Sequence, residues 1–267
     1  MHILITNDDG VMAPGLLALV QELRGLAEIS VLAPDRNWSA SGHVKTLHRP
    51  LRVRETFLTD GTPALSSDGS PSDCVALGMM GILPKPVDLV VSGINTNANI
   101  GHDVTYSGTV TAAMEAAIGG VPGVAVSLDL NRENHPPIDY GPAARVTRRV
   151  VQSLSEHGLP AHSLLNVNVP YLPDEQIRGY QITRQGLRIY RDELVRREDP
   201  RGRPYYWIGG DAPTGVPEDG TDFGAITAGY VSITPLQLDL TAYAWIDPLR
   251  TWDWGGQPVK GPEDHSA

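Results

Sequence analysis

The chain has 267 residues, 41% hydrophobic and 19% charged. That is enough apolar material to bury roughly 70–75% of the unfolded surface, and it excludes disorder as the main state. Lys and Arg number 21 against 31 Asp and Glu, a net charge of −10, which is the wrong sign for a binder of duplex nucleic acid. One cysteine, Cys74, leaves no internal disulfide and no multi-cysteine zinc site.

The length allows one large domain or two small ones. The N-terminus lacks a basic n-region, and no apolar run approaches the ~20 residues needed to cross a bilayer. The sequence therefore predicts a soluble, cytoplasmic protein with no membrane association. Ile3–Thr6 reads as a short buried strand, and Gly15–Leu26 carries apolar residues at helical spacing. Glu28–Leu32 is a second strand, and 45–67 is turn-rich and partly β. Ser72–Ile82 reads as a helix in which Asp73 serves the first N–H groups and Cys74 is a small buried hydrophobe. Val87–Val91 is a strand, Ser107–Ile118 an Ala-rich helix, Val124–Leu128 a strand, Tyr140–His157 a helix and Leu164–Val169 a strand. Largely apolar strands alternating with helices predict an α/β fold with a doubly wound, mostly parallel sheet.

The pattern changes near residue 170. Segments 178–183, 187–196 and 203–208 read as strands of a polar β extension, 211–221 as a Gly/Pro/Asp-rich loop and Gly229–Thr234 as a further strand. The tail carries Trp245, Trp252 and Trp254, which pack either on a neighbouring subunit or back on their own domain.

In open α/β sheets ligands bind beyond the carboxyl ends of the parallel strands. The first strand is followed by Asn7-Asp8-Asp9-Gly10 and the second by Asp35 through His43, with Ser39 between. Ser92 through Asp103, containing Asn95, follows the Val87–Val91 strand. A parallel sheet brings these three oxygen-rich loops to one edge. Adjacent carboxylates repel unless a cation compensates. Asp8 and Asp9 with the Ser39 hydroxyl and the Asn95 carboxamide make a hard-oxygen set suited to Mg²⁺, Mn²⁺ or Ca²⁺. Read alone, Asn7–Gly10 is also an ordinary turn.

Tyr106-Ser107-Gly108-Thr109 opens the helix that ends at Ile118. Ser107, Gly108 and Thr109 offer N–H groups to a phosphate, although Ser107 or Thr109 also suits plain N-capping. His43 and His102 lie in the candidate loops as possible proton donors. Neither a P-loop nor a Gly-x-Ser-x-Gly elbow is present.

Several segments then carry a resemblance. They are Asn7–Gly10, Ala33-Pro34-Asp35-Arg36-Asn37 with Ser39, Asp73-Cys74-Val75, and Ser92–Asn95 with Asn99, Gly101, Asp103 and Val104. Tyr106–Val110 through Glu115, Leu165–Pro170, Thr221-Asp222-Phe223 and Gly229–Leu236 follow in order. Together they resemble the SurE (survival protein E) family of metal-dependent nucleoside monophosphate phosphatases.

The resemblance implies a 5′/3′-nucleotidase with some activity on polyphosphate. It also implies one Rossmann-like domain spanning 1–267, with 171–267 supplying a β extension and an exchanged oligomerisation tail, and a homodimer or homotetramer. Its metal ligands fall on Asp8, Asp9, Ser39 and Asn95, and Asn99 and His43 join the substrate contacts. Asn97 stands where the family commonly has glycine, and His102 where an acidic residue is common. In the mechanism expected, a metal-bound water attacks phosphorus in line with Asp8 or Asp9 orienting it. A non-catalytic nucleotide sensor and a nucleotide-sugar transferase are the alternatives.

Overall fold

The computed structural model describes residues 1–130 and 137–255; the end of the predicted oligomerisation tail lies outside the described residues. The buried strand β1 (His2–Thr6) leads through a turn into α1 (Pro14–Leu23), which starts on proline and buries Leu16, Leu19, Val20 and Leu23. This helix stops at Leu23 rather than at the expected Leu26, because Arg24 has already left helical geometry with ψ 136°. After β2 (Glu28–Pro34), the turn-rich stretch supplies β3 (Val53–Phe57) and β4 (Pro63–Ser67). In α2 (Pro71–Leu77), Ser70 Oγ accepts from Asp73 N–H while the Asp73 carboxylate accepts from Ser70 N–H. That reciprocal cap gives Asp73 its expected role. The predicted helix 72–82 ends early, and Gly78–Ile82 forms a wider π-type turn.

Next come β5 (Leu89–Asn95), a 3₁₀ turn at Gly101–Thr105, α3 (Gly108–Ile118), β6 (Gly123–Asp129), α4 (Gly141–His157) and β7 (Ser163–Pro170). Here Ser92–Asn95, expected as loop, is the end of a strand. It stays paired to β6, with an irregularity in register between Ser92 and Asn95.

The sheet has nine strands in the order β3-β4-β2-β1-β5-β6-β7-β11-β8, where β8 is Tyr180–Ile182 and β11 is Val231–Gln237. β4, β2, β1, β5, β6 and β7 run parallel, β3 pairs antiparallel to β4 and β11 antiparallel to β7, and β8 lies parallel to β11. Alternate side chains of one strand serve both faces. Ile3 and Ile5 of β1 pack with Leu16, Leu19, Val150 and Val151 of α1 and α4, while Leu4 packs with Cys74, Val75, Ala112 and Ala116 of α2 and α3. Burial pushes the Cys74 thiol well above its ordinary range, in keeping with an inert core residue. The α/β, mostly parallel sheet read from the sequence is the fold observed.

The region beyond 170 departs from expectation. Segment 178–183 belongs to the main sheet as β8, so only β9 (Arg188–Glu198) and β10 (Pro204–Gly215) form a separate antiparallel hairpin. β10 runs into the predicted 211–221 loop, passing a bulge between Asp211 and Thr214. A short helix absent from the expectations, α5 (Asp222–Thr227), follows, capped by the Thr221 hydroxyl accepting from Gly224 N–H. A 3₁₀ turn and α6 (Ile246–Arg250) end the described chain.

Candidate active site

The turn after β1 is built by its own first residue. Asn7 Nδ2 donates to Gly10 O at 3.0 Å and Asn7 Oδ1 accepts from Gly10 N–H at 3.2 Å. Gly10 takes φ +103° against the backbone of Arg36, a conformation and a closeness that only glycine meets cheaply. The turn therefore holds Asp8 and Asp9 in fixed places at the carboxyl edge of the sheet.

The second loop is tied to the first. Trp38 N–H donates to Asp8 O at 2.7 Å, Asn37 Nδ2 donates to Asp9 Oδ1 at 3.1 Å, and Asn37 Oδ1 accepts from Ser39 N–H at 2.7 Å. Asn37, which the sequence offered only as part of a motif, thus links Asp9 to the exposed Ser39. The third contributor, Asn95, ends β5, the strand beside β1, with Ser92 paired to Thr6. Its Nδ2 donates to Asn97 O at 2.6 Å, so the carboxamide oxygen is the atom it could offer to a cation.

α3 reaches the same spot. Thr109 Oγ1 donates to Asp8 Oδ1 at 2.6 Å, and a Cβ added at Gly108 would lie 2.7 Å from Asp8 Cβ, so the helix start rests on the carboxylate. Ser107 Oγ caps the helix by accepting from Val110 N–H. Of the residues expected to offer N–H groups to a phosphate, Ser107 has its hydroxyl engaged as the cap and Thr109 has its hydroxyl on Asp8. What the helix start presents to an anion is backbone N–H and the positive end of its dipole.

Two expected substrate contacts have internal partners. Buried Asn99 donates from Nδ2 to Ser127 Oγ at 2.7 Å, its N–H donates to Asn168 Oδ1, and its carbonyl accepts from Asn166 and Asn168. It therefore stitches the loop after β5 to β6 and β7. His43 Nε2 meets Glu115 Oε2 at 3.0 Å, and Lys45 Nζ donates to Glu115 Oε1 at 2.7 Å. These partners hold the Glu115 carboxyl below its ordinary range, the His43 contact first among the causes. His102 is exposed on the 3₁₀ turn. Asp222, fully buried, accepts from Gly101 N–H, Gly186 N–H and Phe223 N–H, each at 2.8 Å, joining the site loop to the segment before β9.

The electrostatics match a cation site. Burial pushes the Asp8 carboxyl up against the opposing hydrogen bonds from Thr109. Burial and the neighbouring Asp8 charge push Asp9 up to about 6, with Asn37 pulling the other way. Two carboxylates held side by side at this cost are the arrangement a bound cation relieves. Thr6 Oγ1, Ser92 Oγ and Ser41 Oγ are also buried without a hydrogen-bond partner among the described residues. No cluster of three or more His, Cys, Asp or Glu occurs among the described residues, so a cation here draws on neutral oxygens such as Ser39 and Asn95. The donor set fits a hard divalent ion.

The family model described as Survival protein SurE matches residues 3–192. A "5′-nucleotidase SurE" of Chloroflexus aggregans is 53% identical over 95% of this chain and 100% of its own length. One of Herpetosiphon aurantiacus is 54% identical over 95% of this chain and 99% of its own. The crystal structure of the SurE protein from Aquifex aeolicus superposes with a TM-score of 0.78 at 41% identity, covering 94% of this chain and 98% of the other.

Proposed function

The chain belongs to the SurE family and is a 5′-nucleotidase, and from that premise we propose that it hydrolyses nucleoside 5′- and 3′-monophosphates, and short polyphosphate, with a divalent cation held by Asp8, Asp9, Ser39 and Asn95. The observation that carries this reading is the contact of two opposite elements. The buried Asp8 carboxylate sits against the N-terminus of α3, with Thr109 Oγ1 on it at 2.6 Å and the half-buried Asp9 next to it in the turn. A phosphate monoester bridges such elements naturally, one face toward the cation ligands and the other toward helix N–H groups.

When bound, Mg²⁺ or Mn²⁺ supplies neutralisation of phosphoryl charge and an acidified water. The chain's own groups do the rest. Asp8, fixed by Thr109 and by Gly108, holds a constant anionic position. Asp9, less buried and held among the described residues by Asn37, takes the proton of the attacking water at its carboxylate as the P–O ester bond breaks and the nucleoside oxygen leaves, protonated from solvent. The first N–H groups of α3 hold the phosphoryl oxygens as charge develops on them. Neither the nucleotide sensor nor the sugar transferase accounts for a 5′-nucleotidase.

The test is phosphate release from 5′-AMP and 3′-AMP with Mg²⁺ or Mn²⁺ and with EDTA. Release that depends on the cation supports the reading, and equal release in EDTA refutes the metal. A 3′-AMP that yields no phosphate refutes the 3′ activity.

Assembly is the second part of the proposal. Leu194, Ile208 and Leu240 are 73%, 84% and 90% exposed on the hairpin and tail, as are Trp252 and Trp254, whose rings stack 5.7 Å apart. Apolar surface of this extent supports a homodimer or homotetramer. Light scattering showing a monomer at micromolar concentration would overturn it. No helix among the described residues is long and apolar enough to cross a membrane; the cytoplasm is the proposed compartment.

A further inference from the structure

Beside the loop that follows β5 lies a cleft of about 550 Å³, lined by Asn97, Asp129, Tyr171, Arg188, Phe223 and Ile226 among others. Its size falls within the ~300–1,000 Å³ typical of small-molecule sites. Its position follows from the sheet. Asn97 is held by the Asn95 carboxamide, Asp129 ends β6, where Ser127 pairs with Asn95, and Tyr171 follows β7. The cleft thus opens on the same edge as the candidate cation ligands.

Its chemistry is selective. Phe223 and Tyr171 bring aromatic rings. The Arg188 guanidinium lies over the Phe223 ring at 6.0 Å and its Nε lies 2.8 Å from Asp103 Oδ2, an ion pair that offsets part of its charge. The Asp103 carboxylate is further held by Tyr190 OH at 2.6 Å. The Asp129 carboxylate has no hydrogen bond or ion pair among the described residues, and burial pushes it up while Arg188 pulls it down. An ionised carboxylate only accepts. The cleft therefore wants a flat, uncharged group that carries hydroxyl donors, and it disfavours a second phosphate.

Resting on the hydrolase reading above, we infer that this cleft holds the nucleoside half of the substrate, with Asp129 accepting from the ribose 2′-hydroxyl and Phe223 and Tyr171 flanking the base. Asp129 is then a specificity residue that distinguishes ribose from deoxyribose.

The experiment is calorimetric titration of the metal-loaded protein with adenosine and 2′-deoxyadenosine, neither of which can be hydrolysed. Wild type binds adenosine more tightly by about ten-fold, the worth of one charge-assisted hydrogen bond. In Asp129→Asn that gap closes to within about three-fold, and Phe223→Leu weakens both ligands together. Equal affinities in wild type, or an unchanged gap in Asp129→Asn, would overturn the inference. The wild-type comparison alone decides if the variant fails to fold. Parallel phosphate release from 5′-AMP separates the two readings. Cation-dependent release without adenosine binding removes the cleft alone, and adenosine binding without release removes the hydrolase mechanism alone.

Discussion

Gly108→Ala is the sharpest probe of the site because it adds one methyl group against one functional atom. The new Cβ would sit 2.7 Å from Asp8 Cβ and 3.0 Å from Asp8 Oδ2, roughly 1 Å inside the separation at which carbon atoms rest. Neither partner yields easily. Asp8 is fixed by Thr109 Oγ1 and its carbonyl by Trp38 N–H, and α3 packs through Ala112 and Ala116 into the core. Overpacking of this kind costs about 1–3 kcal/mol. Replacing a helical glycine returns about 0.4–1 kcal/mol by restricting the unfolded chain, so the net loss of stability is small, about 1–2 kcal/mol.

Activity responds more strongly. A 1 Å displacement of a reacting group costs about a hundred-fold, so kcat/KM on 5′-AMP falls by about that factor and the Mn²⁺ midpoint rises. Val150→Ala, a buried change on the sheet-facing side of α4 and so on the opposite face of the sheet from α3, supplies the control: comparable destabilisation with turnover per folded molecule intact. Thermal melts and cation titrations of phosphate release on both variants settle the matter. Wild-type turnover and an unshifted cation midpoint in Gly108→Ala would refute the claim that Asp8 must stand where it does.

Asp9→Asn keeps the shape and the Asn37 contact but removes the charge; phosphate release at saturating Mn²⁺ should fall to near background, and near-normal turnover would defeat the assignment. Asp9 holds its proton more tightly folded, at about 6 against 3.8 unfolded, so metal-free protein is favoured at low pH and loses that stability as pH rises from about 4 through 6. Melts in EDTA across this window should show a fall in Tm that added Mg²⁺ restores and that is smaller in Asp9→Asn, where only the raised Asp8 carboxyl remains to contribute. Asp222→Ala strands the three N–H groups on its carboxylate. It should cost about 3 kcal/mol or more by urea unfolding, with Asp222→Asn losing less because one oxygen still accepts.

The sequence made the parallel sheet legible because β1, β5, β6 and β7 are nearly unbroken apolar runs, which only a sheet covered on both faces requires. It was less clear where strands stop. Ser92-Gly93-Ile94-Asn95 has the composition of a turn, yet pairing with β6 keeps it extended. The hairpin of β9 and β10 was readable as strands but not as a body separate from the main sheet. Strand partners are chosen by packing, and exposed positions on both faces carry no such signal.

The site divides along the same line. Asp8, Asp9, Ser39 and Asn95 could be grouped from sequence because strand order alone carries their loops to one edge. Roles that depend on a distant partner could not. Nothing around His43 announces Glu115, 72 residues away, and nothing around Asn99 announces Asn168, 69 residues away. The nearest hint was Asn166 and Asn168, two amides alternating inside an otherwise apolar strand. A buried polar side chain must find a partner, and such residues in β7 forecast a loop to be held there without saying which. The loop proved to be the one bearing Asn95. Asn99, read as touching substrate, thus also holds the loop that follows Asn95, and Asn99 and Asp222 tie down that end of the candidate site as Asn7 and Asn37 tie down the Asp8–Asp9 end.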